Sequence, residues 1–166
     1  MSDDERFGLS LELVRSRVLN LPPAAQAVHA LACAQRVVRA SDDGSADLES
    51  ALHAGWSVVK SGHGDCAEIR RDLELRDDLD DDPIAAVTYA IGAVDRVAES
   101  AWWATSRLLD AAFEHVPYPV EATVFRPVAE DAQHETVRQE LLWIDETLSL
   151  LEQEGATSGV IDRLRL

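Results

Sequence analysis

The sequence predicts an all-α fold, a helical bundle of six to seven helices that form a single domain over residues 1–166. Three observations lead to this prediction. Apolar residues recur at steps of three and four almost throughout, which is the spacing of one face of a helix. No stretch alternates apolar and polar residues for long enough to predict a strand. Proline, glycine and aspartate cluster between the periodic segments, where helices end and begin.

The first half of the chain predicts four amphipathic helices. The first covers about 9–20, and the prolines of the following LPPAAQ segment suit the first turn of a second helix, where no backbone donor is lost. SDDGS ends that helix and precedes a third helix over about 46–60. After the SGHGD loop, Asp65 is the predicted N-cap of a fourth helix over about 66–75.

The strongest periodicity follows Pro83. Its apolar positions repeat through four heptads, at Ile84, Val87, Ile91, Val94, Ala98, Ala101, Thr105, Leu108 and Ala112. This seam predicts one helix of about 30 residues, about 45 Å long at 1.5 Å per residue, with a bend or break near Glu99 as the alternative.

Two features complete the predicted bundle. VPYPVEATVFRP, residues 116–127, predicts a loop whose prolines restrict its shape. A last long helix is predicted over about 128–153, with a heptad-spaced seam. That seam consists of His134, Val137, Leu141, Ile144, Leu148 and Leu151. Two long seamed helices and several shorter amphipathic ones pack as an all-α bundle.

Net charge limits the classes of partner. Acidic residues outnumber basic ones 31 to 15, and the net charge is −16. Binding of DNA or RNA requires Lys and Arg to replace the counterions of the phosphates, so we expect no nucleic-acid partner. A basic protein partner is compatible with this charge, because complementary charge speeds encounter. The other interpretation is that the acidity serves solubility alone.

The chain carries no predicted targeting signal. MSDDERFG at the N-terminus lacks the apolar segment of a signal peptide, and no apolar run approaches membrane-spanning length. We therefore expect a cytoplasmic protein with no membrane partner. Arg outnumbers Lys 14 to 1, a bias typical of GC-rich bacterial coding sequences. Cys33 and Cys66 are too few for a disulfide framework, and Cys33 is predicted to pack as a small hydrophobe.

The stretch RDDLDDDPI, residues 76–84, concentrates five aspartates before a proline. A calcium loop is disfavoured, because an EF-hand needs a glycine at its sharp turn and a closing bidentate glutamate. As helix punctuation, Asp82 would be the N-cap and Pro83 the first helical residue. The remaining aspartates exceed what capping requires, so they serve either solubility or a partner-binding patch. They are Asp77, Asp78, Asp80 and Asp81.

Two adjacent tryptophans, Trp102 and Trp103, follow the seam residue Ala101. They lie about 100° apart around a helix, so both cannot face the same core unless the helix is enclosed on most sides. Either both are packed in a central helix, or one reaches a groove or an oligomer contact, where Trp is favoured. Both are therefore candidate partner-binding residues.

Metal sites are less well supported by the spacing. His29, His53 and His134 could meet at the mouth of a bundle, as in DinB-like metal hydrolases, but no HxxxH or HxxE pair places two ligands on one helical face. His63 and Cys66 are three residues apart and lack a second pair.

Carboxylates near the last helix also lack the paired spacing that holds magnesium in all-α nucleotide pyrophosphohydrolases. They are Glu130, Asp131, Glu135, Glu140, Asp145 and Glu146. No phosphate-binding glycine loop and no GxSxG motif is present. We expect no catalytic residue, no metal and no cofactor. A metal-dependent hydrolase and a small-molecule binder, with a pocket near Ala98 and Trp102, are the alternative functions.

Three segments carry a resemblance to the YjaG-like family of uncharacterised bacterial helical proteins. They are NLPPAAQAVHALACAQRVV (20–38), LESALHAGWSVV (48–59) and HETVRQELLWI (134–144). In the last segment, Glu135 and Gln139 stand in the matching places. The resemblance implies an all-α fold. Small helical bacterial families of this kind include immunity proteins that neutralise secreted toxins, and a strongly acidic member would suit a basic nuclease toxin.

The sequence therefore predicts a cytoplasmic, non-enzymatic bundle that binds another protein, which could be a second copy in a homodimer.

Overall fold

The computed structural model describes residues 2–41, 45–117 and 128–165. Within these ranges the secondary structure is helical, which confirms the predicted class, but nine helices replace the predicted six to seven. In chain order they are α1 (Asp3–Asn20), α2 (Pro23–Ala40), α3 (Ala46–Ser61), α4 (Ala67–Glu74), α5 (Asp82–Val94), α6 (Ser100–Glu114), α7 (Val128–Asp131), α8 (Glu135–Glu154) and α9 (Ser158–Leu164). Most of the proline-rich segment predicted as a loop, 118–127, lies outside the described residues.

α2 is the central helix of the bundle. Eleven of its 18 residues are buried, more than an amphipathic helix with one apolar stripe would bury. It packs against α3, α5 and α6. Alanines supply much of its surface, so the neighbouring backbones can approach closely. The packing of α3 against α2 is tight at Gly55, where a Cβ atom would lie 2.7 Å from Cδ2 of Leu31.

The predicted 30-residue helix is wrong as a continuous element, and the alternative of a break near Glu99 is confirmed. α5 ends at Val94 and α6 begins at Ser100, and the two pack against each other as a helical hairpin. Most seam residues of both halves are buried, but Ala98 is exposed in the turn. The heptad spacing crosses the turn because both halves face the same core.

The turn between α5 and α6 begins as a Schellman motif. The amide of Val97 donates to the carbonyl of Gly92 at 2.8 Å, and that of Arg96 donates to Ala93 at 3.1 Å. Arg96 takes the left-handed position, with φ 61°, where glycine is the usual residue. Gly92 is needed for the close approach of the two helices, because a Cβ atom there would lie 2.7 Å from Oγ of Ser100.

The predicted last helix is also divided. α7 ends at Asp131 and α8 begins at Glu135, so His134 is the N-cap of α8 and accepts from the amide of Thr136, at 3.3 Å. It is not a seam residue. The rest of the predicted seam, from Val137 to Leu151, packs inward. The short helix α9 was not predicted.

Two helix starts differ slightly from prediction. α1 begins at Asp3, earlier than predicted, with a capping box between Ser2 and Glu5. The N-cap of α4 is Cys66, although the Asp65 carboxylate accepts from the amide of Ala67 at 3.1 Å. No helix in the described part of the chain is both long and apolar enough to cross a membrane.

Candidate functional site

The acidic stretch leads into α5, but its aspartates do not cap that helix as predicted. The N-cap is Asp81, Asp82 is the first helical residue, and no side chain in the described part of the chain caps the free amides. The predicted N-cap role of Asp82 is therefore wrong. Its carboxylate instead accepts from Nη1 of Arg107 on α6, at 3.2 Å. The hairpin brings a cation within reach, and a charged donor is a stronger partner than a backbone amide.

The other aspartates of this stretch fall into two groups. Asp78 binds Arg76 through both carboxylate oxygens, with two bonds of 2.9 Å. Asp77, Asp80 and Asp81 are exposed and form no ion pair with a described residue. Three of the four predicted patch residues therefore present a free carboxylate at the surface.

A groove of about 250 Å³ lies between the end of α2, the start of α5 and the end of α6. We call it the acidic groove. Its carboxylates belong to Asp80, Asp81, Asp82 and Glu114. Apolar atoms of Val37, Ala40 and Ala111 form much of the remaining lining. The hairpin thus joins the acidic stretch to acidic residues some 30 positions later in the chain.

The electrostatics of this groove favour a cation. Burial raises the pKa of the nearby Asp110, and the charges of Asp82 and Glu114 raise it further against the lowering effect of Arg107. The carboxylates therefore lie close enough to repel one another. The C-terminal ends of α2 and α6 add partial negative charge at the groove, whereas the N-terminus of α5, which also lines it, adds partial positive charge.

A row of side chains on α6, exposed except for the half-buried Arg107, leads away from the groove. Trp103, Arg107, Asp110 and Glu114 recur at steps of four, three and four, which places them on one helical face. Tyr89 of α5 lies beside this row, with its ring centroid 6.3 Å from that of Trp103. We call this row, Tyr89 and the acidic groove together the hairpin face.

Arg107 connects the aromatic and acidic ends of the hairpin face. Burial lowers the pKa of its guanidinium, but the hydrogen bond to Asp82 and the charges of Asp82 and Asp110 outweigh burial, and the net shift is upward. The Tyr89 hydroxyl contributes in the same direction. Arg107 therefore stays cationic and is paired with Asp82.

The two tryptophans occupy different environments, as their 100° separation requires. Trp102 is half-buried and packs against the main core. Trp103 is 45% exposed. Of the two predicted partner-binding tryptophans, Trp103 therefore presents the larger accessible surface. The predicted pocket near Ala98 and Trp102 assumed two long helices side by side, whereas Ala98 lies in the hairpin turn.

The histidines considered as metal ligands are separated in the structure. His29 is fully buried, His53 lies 3.0 Å from an Arg165 nitrogen, and His134 caps α8. Among the described residues, no group of three or more His, Cys, Asp or Glu side chains could hold a metal ion. Two of the carboxylates considered for magnesium bind arginines: Glu140 pairs with Arg36 and Asp145 with Arg17.

A buried polar cluster lies between α2 and α6, and sequence analysis did not foresee it. His29 Nε2 lies 3.1 Å from the Thr105 hydroxyl, which donates to the carbonyl of Ala101. Because the hydroxyl proton is used, the ring donates from Nε2, and the buried Nδ1 has no hydrogen-bond partner among the described residues. Cys33 packs against both side chains, and burial raises its pKa to about 12. At neutral pH the cluster therefore holds a thiol and a neutral imidazole.

Sequence reasoning identified the acidic stretch and the tryptophans but missed Tyr89, Arg107, Asp110 and Glu114. The polar and aromatic row on α6 was detectable, since it lies on the face away from the seam. Its proximity to the acidic stretch was not, because that depends on the hairpin.

Comparison with protein-family models, curated proteins and solved structures found no match to this chain. The resemblance to the YjaG-like family stays a prediction.

Proposed function

We propose that this protein acts by binding another protein, and that a positively charged segment of that partner docks on the hairpin face. The observation that carries the proposal is the continuity of the acidic groove with an aromatic pair, the exposed Trp103 and the half-buried Tyr89. A single segment of the partner can therefore place a cationic side chain in the acidic groove and another side chain against Trp103.

Charge supports a basic partner. The hairpin face has five carboxylates, from Asp80, Asp81, Asp82, Asp110 and Glu114, against the guanidinium of Arg107. The C-termini of α2 and α6 add to the negative potential, and the N-terminus of α5 offsets part of it. A basic segment would gain both faster encounter and a defined register from this field. The net charge of −16 acts in the same direction and opposes a nucleic-acid partner.

The aromatic end supplies the second element of a protein interface. Trp and Tyr are enriched among residues that dominate binding energy, and the exposed ring of Trp103 can accept an Arg or Lys side chain. Trp103 and Glu114 are 11 residues apart, or about 16 Å along α6. An extended segment of about five residues covers that distance.

The proposal is tested by isothermal titration with a nonapeptide of alternating Arg and Ala, at low and physiological salt. The groove variant carries Asp80→Asn, Asp81→Asn and Glu114→Gln. Its matched control carries Glu49→Gln, Glu68→Gln and Glu146→Gln, which removes the same charge from exposed carboxylates that form no described ion pair. We expect the groove variant to weaken binding about tenfold and the control to change it less than about threefold.

A third variant, Trp103→Ala, tests the aromatic anchor and is expected to weaken binding about tenfold. Equal losses in the groove variant and the charge control would contradict the proposal, since net charge alone would then explain binding. Sedimentation of the free protein supplies a further check. Self-association that Trp103→Ala abolishes would assign this face to a second copy of the chain instead.

A further inference from the structure

A second cleft, of about 480 Å³, lies on another side of the bundle. It is bounded by the start of α2, the end of α3, the start of α4 and the end of α5. About half of its lining is apolar, with Pro23, Ala27, Val58, Val59 and Val94 among the lining residues. Two cations, Arg70 and Arg96, and two carboxylates, Asp65 and Asp95, also line it, and Asp65 accepts from the amide of Ala67 at 3.1 Å. A concavity that combines apolar walls with a few convergent polar groups is the usual form of a small-molecule site.

Arg70 is held in this cleft by a buried carboxylate. The side chain of Asp95 is 8% exposed, its Oδ1 accepts from the amide of Cys66 at 2.8 Å, and its Oδ2 lies 3.3 Å from Nε of Arg70. The contact is an ion pair without a hydrogen bond, and Oε1 of Glu74 lies 4.0 Å from the same Nε atom. The two outer nitrogens of Arg70 donate to no described residue, so they are available to a ligand.

Arg96 brings a second cation to the same cleft at a cost in backbone energy. It occupies the left-handed position after α5, with φ 61°, which costs a non-glycine residue on the order of 1 kcal/mol. Its guanidinium is exposed and forms no hydrogen bond or ion pair with a described residue. A cation therefore stands where glycine would make the protein more stable.

The first turn of α2 completes the electropositive side of the cleft. Ala24 lines the cleft, and the first intrahelical donor of α2 is the amide of Gln26. The amide of Ala24 is thus among the free donors at a helix N-terminus, where the dipole favours negative charge. The net negative charge of the whole protein opposes anion binding in the cleft only weakly, because salt screens exposed charges that lie more than about 8 Å away.

We propose that this cleft binds a small organic anion with an apolar body, with the anionic group between Arg70 and Arg96 and the apolar body against Val58 and Val59. Carboxylates and phosphate monoesters share this chemistry. The inference is independent of the proposed protein-binding function, which uses the opposite sign of charge at the other ends of α2 and α5.

The test is isothermal titration with octanoate and octyl phosphate, with octylamine as the probe of opposite charge. Arg96→Gln removes the cation and keeps the backbone strain. Arg71→Gln is the matched control, because Arg71 is an exposed neighbour of Arg70 that does not line the cleft. We expect at least one anion to bind, a loss of about tenfold in Arg96→Gln, and a change below about twofold in Arg71→Gln.

Arg96→Gly separates binding from stability. Glycine relieves the left-handed strain, so the melting temperature should rise while the anion affinity falls. The anion that binds more tightly identifies the ligand class. Equal binding of octylamine and octanoate would overturn the proposal, as would a variant Arg96→Gln that binds both anions as tightly as the unaltered protein.

Discussion

Acidification should destabilise the bundle through His29, the fully buried histidine of the polar cluster. Burial lowers its pKa from 6.5 to about 4, and the charge of Arg17 acts in the same direction. The folded state therefore holds a neutral ring, whereas the unfolded chain binds a proton below about pH 6.5. The stability that this group contributes is complete above pH 6.5 and is lost as the pH falls toward 4.

The size of this effect follows from the pKa difference. A difference of about 2.5 pH units corresponds to about 3.4 kcal/mol when the pH is well below 4, and about 2 kcal/mol of that is lost at pH 5. Urea unfolding at pH 7 and pH 5 measures the loss. His29→Gln keeps a donor for the Thr105 hydroxyl but cannot titrate, so it should lose about 2 kcal/mol less than the unaltered protein between these pH values.

The control is His63→Gln, because His63 is exposed in the loop before α4. It should retain the pH dependence of the unaltered protein. The reasoning is refuted if His29→Gln and the unaltered protein lose the same free energy of unfolding on acidification. An NMR titration gives a second readout that requires no variant. The His29 ring protons should show no titration shift above pH 5 in the folded protein.

Three further predictions concern packing. Gly92→Ala should destabilise the protein by about 1–3 kcal/mol, because its methyl group meets Ser100, and Ser100→Ala in the same chain should restore part of the loss in urea unfolding. Gly159→Ala, in α9 with open space around it, should instead stabilise by about 0.5–1 kcal/mol; a loss there would contradict the argument from helix propensity. Trp56→Phe should cost roughly 2–4 kcal/mol in thermal or urea unfolding, since it shrinks a fully buried side chain and removes a 2.8 Å bond to Gln35; an unchanged midpoint would show that neither contributes.

Local pattern was sufficient to predict the class of fold and most helices. The start of α2 at its paired prolines and the extents of α3 and α4 follow from short-range signals that the structure retains. The same signals predicted one long helix where the structure has α5, a turn and α6, because the heptad seam continues across that turn. A heptad pattern records which residues face the core, and both arms of a hairpin face the same core. The left-handed residues Arg96 and Glu99 that reverse the chain have no distinctive sequence signal.

The sequence by itself determined that the protein is helical, strongly acidic and provided with an aspartate-rich stretch and a tryptophan pair. Tertiary structure decided how these features combine. It buried part of Trp102 and exposed Trp103, paired Asp82 with Arg107, and brought Glu114 to Asp80 and Asp81 in one groove. These contacts join residues up to 34 positions apart, and their geometry depends on the hairpin between α5 and α6, which helical periodicity alone does not encode.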